Sequence, residues 1–150
     1  MKLRSTAFSD RSQMPVQYTC DGKDISPPLN WADPPPATRS FVLLCDDSDA
    51  PGGTWHHWAA YDMPAQQRIL VEGASKEPTA FKQAVNDFQK TGYGGPCPPH
   101  EHGLHHYRFR LLALSVEQLP VRKRPSCEDV EREASKYVVA EADLIAVYER

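Results

Sequence analysis

The sequence predicts a mainly β protein: a β-sandwich of Greek-key type with one C-terminal helix followed by a terminal strand. Its apolar runs are short and bounded by turn residues, as sandwich strands are. Fourteen prolines punctuate 150 residues, a density that suits strands joined by ordered turns better than packed helices. Only one stretch, after residue 125, combines a helix cap with helical spacing.

Taken in order, residues 3–8 alternate weakly and read as a first edge strand. Residues 18–22 and 26–31 form an irregular, turn-rich segment closed by Asp33-Pro34-Pro35-Pro36, a loop because prolines donate no ladder hydrogen bonds. Residues 41–45 (FVLLC) are a short apolar run with turn signals on both sides and read as a buried strand. Residues 57–63, carrying Trp58, Ala59, Ala60 and Tyr61, read as its returning partner. Residues 67–72 (QRILVE) suit a further short strand, and the polar stretch 76–90 reads mostly as loop. Residues 107–114 (YRFRLLAL) alternate and then turn apolar, a second strong strand. Ser126 opens the helix as an N-cap, with Glu128 and Asp129 in the first turn, where the helix dipole favours negative charge. Val130, Ala134, Tyr137 and Val138 recur at helical spacing as its buried face, and after Ala140 the pattern turns to that of a strand.

One domain, residues 1–150, accommodates the chain, which is long enough to bury a full core. The formal net charge of −3, with acids and bases interspersed, argues against nucleic acid as a partner; Arg122-Lys123-Arg124 is too short a basic run to change that. No window approaches transmembrane length and MKLRSTAFSD lacks a signal-peptide core, so the expected location is cytoplasmic, with at most peripheral membrane contact. Cys20, Cys45, Cys97 and Cys127 are widely spaced with no CxxC pair and are expected as free thiols in a reducing compartment.

Chemistry concentrates in residues 46–64, DDSDAPGGTWHHWAAYDMP. Two carboxylates (Asp47, Asp49), two histidines (His56, His57) and two tryptophans (Trp55, Trp58) arrive together, with Pro51, Gly52 and Gly53 turning the chain back. The expectation is that His57 returns beside Asp47, the carboxylate fixing the imidazole tautomer and favouring its charged form. Asp49 reads equally as a turn cap, and at least one of the tryptophans as core. A second low-side-chain loop, GYGGPCPP at 92–99, offers backbone N–H groups that suit an anion, though turn geometry alone explains it too. All six histidines fall within residues 56–106. His100-Glu101-His102 and the HH pairs lack the i,i+4 spacing of a helical zinc motif, so no metal and no cofactor is expected. Neither Ser48 nor Cys97 sits in a nucleophile elbow, so no catalytic residue is assigned and binding is favoured over bond-breaking.

Several of these stretches, in this order, resemble the phosphatidylethanolamine-binding protein family, and more narrowly its bacterial Raf-kinase-inhibitor-like branch. They are YTCDGKDISPPLNW, DSDAPGGTWHHW, GYGGPCPP with GLHHY, and the closing VVAEADLIAVYER. The resemblance implies a sandwich with a small anion pocket near one end, built from Asp47, Asp49, Pro51, His57, Gly94, Gly95, Pro96, His105 and Tyr107. It also implies a cis peptide at Ala50-Pro51 and small anionic ligands: phosphate, phosphorylethanolamine-like headgroups or acetate. A protein partner such as a kinase or protease, and a homodimer, are family-level expectations. Ser48 stands where the family has proline and His106 where it usually has arginine, which replaces a permanent charge by a titratable one. Three functions follow as expectations: a non-enzymatic binding module, an inhibitor of a protease or kinase acting through its surface, and a hydrolase using an Asp–His pair.

Overall fold

Nine strands and one α-helix make up the regular structure of the computed structural model, which describes Met1–Arg150. In chain order they are β1 (Lys2–Arg4), β2 (Ser12–Gln13), β3 (Leu29–Ala32), β4 (Ser40–Asp47), β5 (Trp55–Pro64), β6 (Ile69–Leu70), β7 (Lys82–Gln83), β8 (His105–Leu114), α1 (Cys127–Ala134) and β9 (Val138–Tyr148). Two sheets result, a three-stranded one in the order β1-β3-β6 and a six-stranded one in the order β2-β9-β8-β4-β5-β7. The predicted fold class, mainly β with a late helix before a terminal strand, is the one observed.

The long strand β4 is buried on both faces, which is why its sequence reads as a continuous apolar run. Phe41, Leu43 and Cys45 face the small sheet and pack with Leu3, Trp31, Trp58 and Phe109. Val42 and Leu44 face the other way, against Val130 and Ala134 of α1. No helix is long and apolar enough to cross a membrane.

The helix begins where the capping signal places it. Ser126 accepts from the Asp129 N–H at 3.0 Å and the Asp129 carboxylate reaches back to the Ser126 N–H at 3.0 Å, a reciprocal capping box. It ends sooner than the apolar spacing predicts: Val138 lies in β9, paired with Leu114, so sheet pairing overrides local periodicity. Residues 29–32, read as turn, form a strand because β1 and β6 pair with it on either side. The first strand stops at Arg4, since Ser5 turns the chain by bonding to the Pro28 carbonyl at 2.6 Å and to the Ala7 N–H at 3.1 Å.

The cysteine expectation fails for one pair. Cys20 and Cys97 form a disulfide, their Cα atoms 5.4 Å apart, while Cys45 and Cys127 are free and buried. Folding lays the 16–22 turn against the 93–99 loop, and other bonds hold the same junction. The Cys20 N–H donates to the Pro96 carbonyl at 3.1 Å, and the Tyr93 hydroxyl to the Tyr18 carbonyl at 2.7 Å. A separation of 77 residues left no trace of this in the spacing.

Candidate functional site

At the end of β4, Asp46 and Asp47 point to opposite faces of the sheet, as neighbours on a strand must. Asp46 joins the α1 side and Asp47 the side between the sheets. On the facing strand β5, Cys45 pairs with Trp58 but Asp46 pairs with His56, so His57 is an extra residue without a cross-strand partner. Such a bulge re-aims a side chain. It turns His57, 2% exposed, to the Asp47 side, although strict alternation would put it opposite Trp58.

The carboxylates sort into three acid–histidine pairs, and the expected one is not among them. Asp47 accepts from His105 Nδ1 at 2.6 Å, Asp46 from His56 Nδ1 at 2.8 Å, and Asp49 from His106 Nδ1 at 2.9 Å. His57 instead donates from Nδ1 to the Gly94 carbonyl at 2.6 Å, while the Gly94 N–H donates back to the His57 carbonyl at 3.0 Å. The bulge brings His57 to the Asp47 side of the sheet, where its ring meets the glycine loop; Asp47 is taken by His105, which stands two residues from the Asp47 cross-strand partner Tyr107 on β8 and so on the same face. Because Nδ1 carries the proton in both buried rings, neutral His57 presents a bare Nε2 as acceptor.

Asp47, His57, His105 and Tyr107 meet around a cavity of about 180 Å³ at the end of the sandwich. Ala50 and Pro51 close one side, Trp55 and Phe88 another, and Cys97, Pro98 and Pro99 a third. Of the nine predicted residues, Asp47, Pro51, His57, His105 and Tyr107 line it; Asp49, Gly94, Gly95 and Pro96 do not. Asp49 is engaged outside with His106, and the glycine N–H groups are already spent, Gly94 on His57 and Gly95 on Asp24 Oδ1 at 2.8 Å. Glycine at 95 answers to packing: a Cβ there would run into the Tyr18 carbonyl oxygen and Asp24. No peptide bond is cis, Ala50-Pro51 included; the turn closes with the Gly53 N–H bonded to the Ala50 carbonyl at 3.1 Å, and Pro51 fits inside it as an ordinary trans residue. Trp55 is part of the wall and 38% exposed, whereas Trp58 is core.

The electrostatics of the cavity are set by the burial of its polar side chains. Burial holds His57 below the ordinary histidine value, so it is neutral at neutral pH. Burial, reinforced by the Asp47 charge, pushes the Tyr107 phenol far up, so it stays protonated. That hydroxyl is fully buried and completes no well-formed hydrogen bond with the protein, although the Asp47 carboxylate is close enough to act on it as an acceptor.

On the opposite face, Asp46, His56 and Glu131 bring ligand atoms within 4.8 Å of one another. Arg110 already serves the carboxylates, at 2.7 Å from Glu131 and 3.4 Å from Asp46, so the chain balances this charge itself. The hydrogen bond to Asp46 raises the His56 pKa above 6.5, while burial lowers that of its neighbour His57 below it. An NMR titration is expected to show His56 titrating above the ordinary value and His57 below; a shared midpoint would contradict the assigned environments. The signs for stability are opposite as well. The His56 contribution is complete below the unfolded value and is lost as pH rises through the folded one. The His57 shift removes stability as pH falls through 6.5.

The phosphatidylethanolamine-binding protein family profile matches residues 4–149. A UPF0098 protein of Aquifex aeolicus is 48% identical over 152 residues, covering all of this chain and 89% of its own. A UPF0098 protein of Methanothermobacter thermautotrophicus is 42% identical over 153 residues, with all of this chain and 99% of its own covered. In structure, Escherichia coli YbcL, described as a new member of the mammalian PEBP family, superposes with a TM-score of 0.94 at 33% identity, across 99% of this chain and 98% of its own. A phosphatidylethanolamine-binding protein homologue of Chlamydia trachomatis gives 0.89 at 34% identity, across 99% and 97%. Matched along nearly its whole length in sequence and in fold, the chain belongs to the phosphatidylethanolamine-binding protein family.

Proposed function

We propose that this protein is a non-enzymatic binding module whose cavity takes the monoanionic head of a small phosphate ester or carboxylate. The observation that carries the reading is the Tyr107 hydroxyl, a buried protonated donor that completes no hydrogen bond of good geometry inside the cavity. An unpaired buried donor costs roughly 1–3 kcal/mol, and an anionic oxygen would remove that cost. The bare Nε2 of His57 supports a guest that brings its own proton, such as a monoprotonated phosphate ester, which donates to His57 while accepting from Tyr107. A carboxylate, which has no proton to give, is held through the Tyr107 hydroxyl alone unless His57 is protonated, and the Asp47 charge nearby opposes a dianion. The exposed face of Trp55 offers an apolar contact to whatever carries the head, whether a lipid headgroup, a free metabolite or a protein partner such as a kinase.

Binding is favoured over hydrolysis because no serine, threonine or free cysteine faces the guest. The cavity has no serine or threonine, and its one sulfur, Cys97, is held in the disulfide. The free-thiol expectation rested on a cytoplasmic location; the Cys20–Cys97 bridge suits an oxidising compartment or the interior of a thermophile.

Calorimetry and thermal shift with phosphate, phosphorylethanolamine and acetate test the reading. The wild type is expected to be stabilised by at least one of them at millimolar concentration. Tyr107→Phe is expected to weaken that ligand about tenfold while leaving the free protein as stable as before or more so, since it deletes an unsatisfied hydroxyl. A Tyr107→Phe variant that binds like the wild type, or a wild type that responds to none of the three, would overturn it.

A further inference from the structure

His105 lines the cavity, yet its ring has no free nitrogen. Nδ1 is held by Asp47 at 2.6 Å, and Nε2 lies 2.7 Å from Nδ1 of His102. Because the carboxylate requires the proton on Nδ1, neutral His105 accepts at Nε2 from His102 Nδ1–H. A chain of three side chains therefore runs from buried Asp47 through buried His105 to His102 at the surface.

His102 belongs to residues 98–104, whose root, Pro98 and Pro99, is part of the cavity wall. Between residues 100 and 104 it is the only side chain that makes a hydrogen bond; His100, Glu101 and Leu104 are exposed. Two backbone bonds do the rest, Glu101 N–H to the Arg150 carbonyl at 3.0 Å and His102 N–H to the Pro99 carbonyl at 3.2 Å. Positive φ at Glu101 (61°) and Gly103 (97°) bends the stretch so that His102 folds back over His105.

We propose that His102 is a latch: it occupies the His105 nitrogen that an anionic guest would otherwise use, and in doing so fastens the 98–104 wall. For its ligand consequences this rests on the anion-binding reading above; for the free protein it rests on the hydrogen bond alone. Latched, the cavity serves a guest through Tyr107 and His57 only, which suits a small monoanion. Released, His105 keeps its Nδ1–H on Asp47 and has Nε2 open to the guest, which in the imidazolium form meets a third, charge-assisted donor there. The latch is thus a positioning residue that sets which anion the site prefers.

Wild type, His102→Ala and His102→Asn are compared, the asparagine amide being able to keep a hydrogen bond to Nε2. In the free protein, amide hydrogen exchange at residues 100–104 is expected to quicken in His102→Ala and to return toward wild type in His102→Asn. In calorimetry, His102→Ala is expected to bind sulfate, a dianion throughout the neutral range, on the order of tenfold tighter, acetate changing less and His102→Asn following the wild type. Unchanged exchange in His102→Ala, or, where the wild type binds an anion, sulfate affinity equal to or weaker than wild type, overturns the latch. Faster exchange in His102→Ala with no anion bound by any of the three proteins supports the latch and overturns the anion reading instead.

Discussion

Removing the Cys20–Cys97 disulfide is expected to cost about 4 kcal/mol of stability and leave the fold intact. The bridge closes a loop of 77 residues, so in the unfolded chain it forbids a large share of conformations. In the native state the same junction is held by the bonds from Cys20 to Pro96, Tyr93 to Tyr18 and Gly95 to Asp24, which survive the loss of the sulfur link. The core does not depend on it either, since the cluster between the sheets comprises 21 buried residues. For a domain of this size the loss corresponds to a fall in Tm on the order of 10 °C. Thermal melts of the wild type with and without reductant, beside Cys20→Ala/Cys97→Ala, measure it. The reduced wild type and the double variant should melt together, below the oxidised protein, and reductant should do nothing further to the variant. Coincident melts of all samples would mean that the bridge contributes no such constraint.

What the sequence revealed and what it hid divide along a physical line. Signals confined to a few residues were legible: the double-faced burial of 41–45, the alternation of 107–114 and the Ser126 cap each state a local preference that the fold obeys. Preferences settled by distant partners were not. Leu29–Ala32 is a strand only because two others flank it, and Val138 leaves the helical pattern because Leu114 pairs with it. The candidate site shows the same division at finer scale. That Asp47, His57, His105 and Tyr107 gather in one place was implied by the family resemblance of their motifs. That Asp47 pairs with His105 depends on the register of β8 against β4, and the facing of His57 on one unpaired residue in β5; neither is visible without the partner strand. The glycine loop misled for a related reason, its small residues admitting the Tyr18 backbone rather than a ligand.

Asp47→Ala is expected to be the most damaging substitution at the cavity, costing about 3–5 kcal/mol, whereas Asp49→Ala, two residues on, should change stability by no more than about 1 kcal/mol. Both carboxylates do nominally the same thing, each accepting from a histidine Nδ1 and from a backbone N–H. They differ in surroundings. The Asp47 and His105 side chains are 5% and 2% exposed, those of Asp49 and His106 41% and 46%. Deleting Asp47 strands the His105 N–H, and with it the Asp49 amide, where water cannot reach them well, while deleting Asp49 hands its partners to solvent. Urea midpoints at constant m-value measure both. Near-equal losses would mean that the inner pair is hydrated after all, and the burial on which the raised Tyr107 and the depressed His57 both rest would be undercut with it.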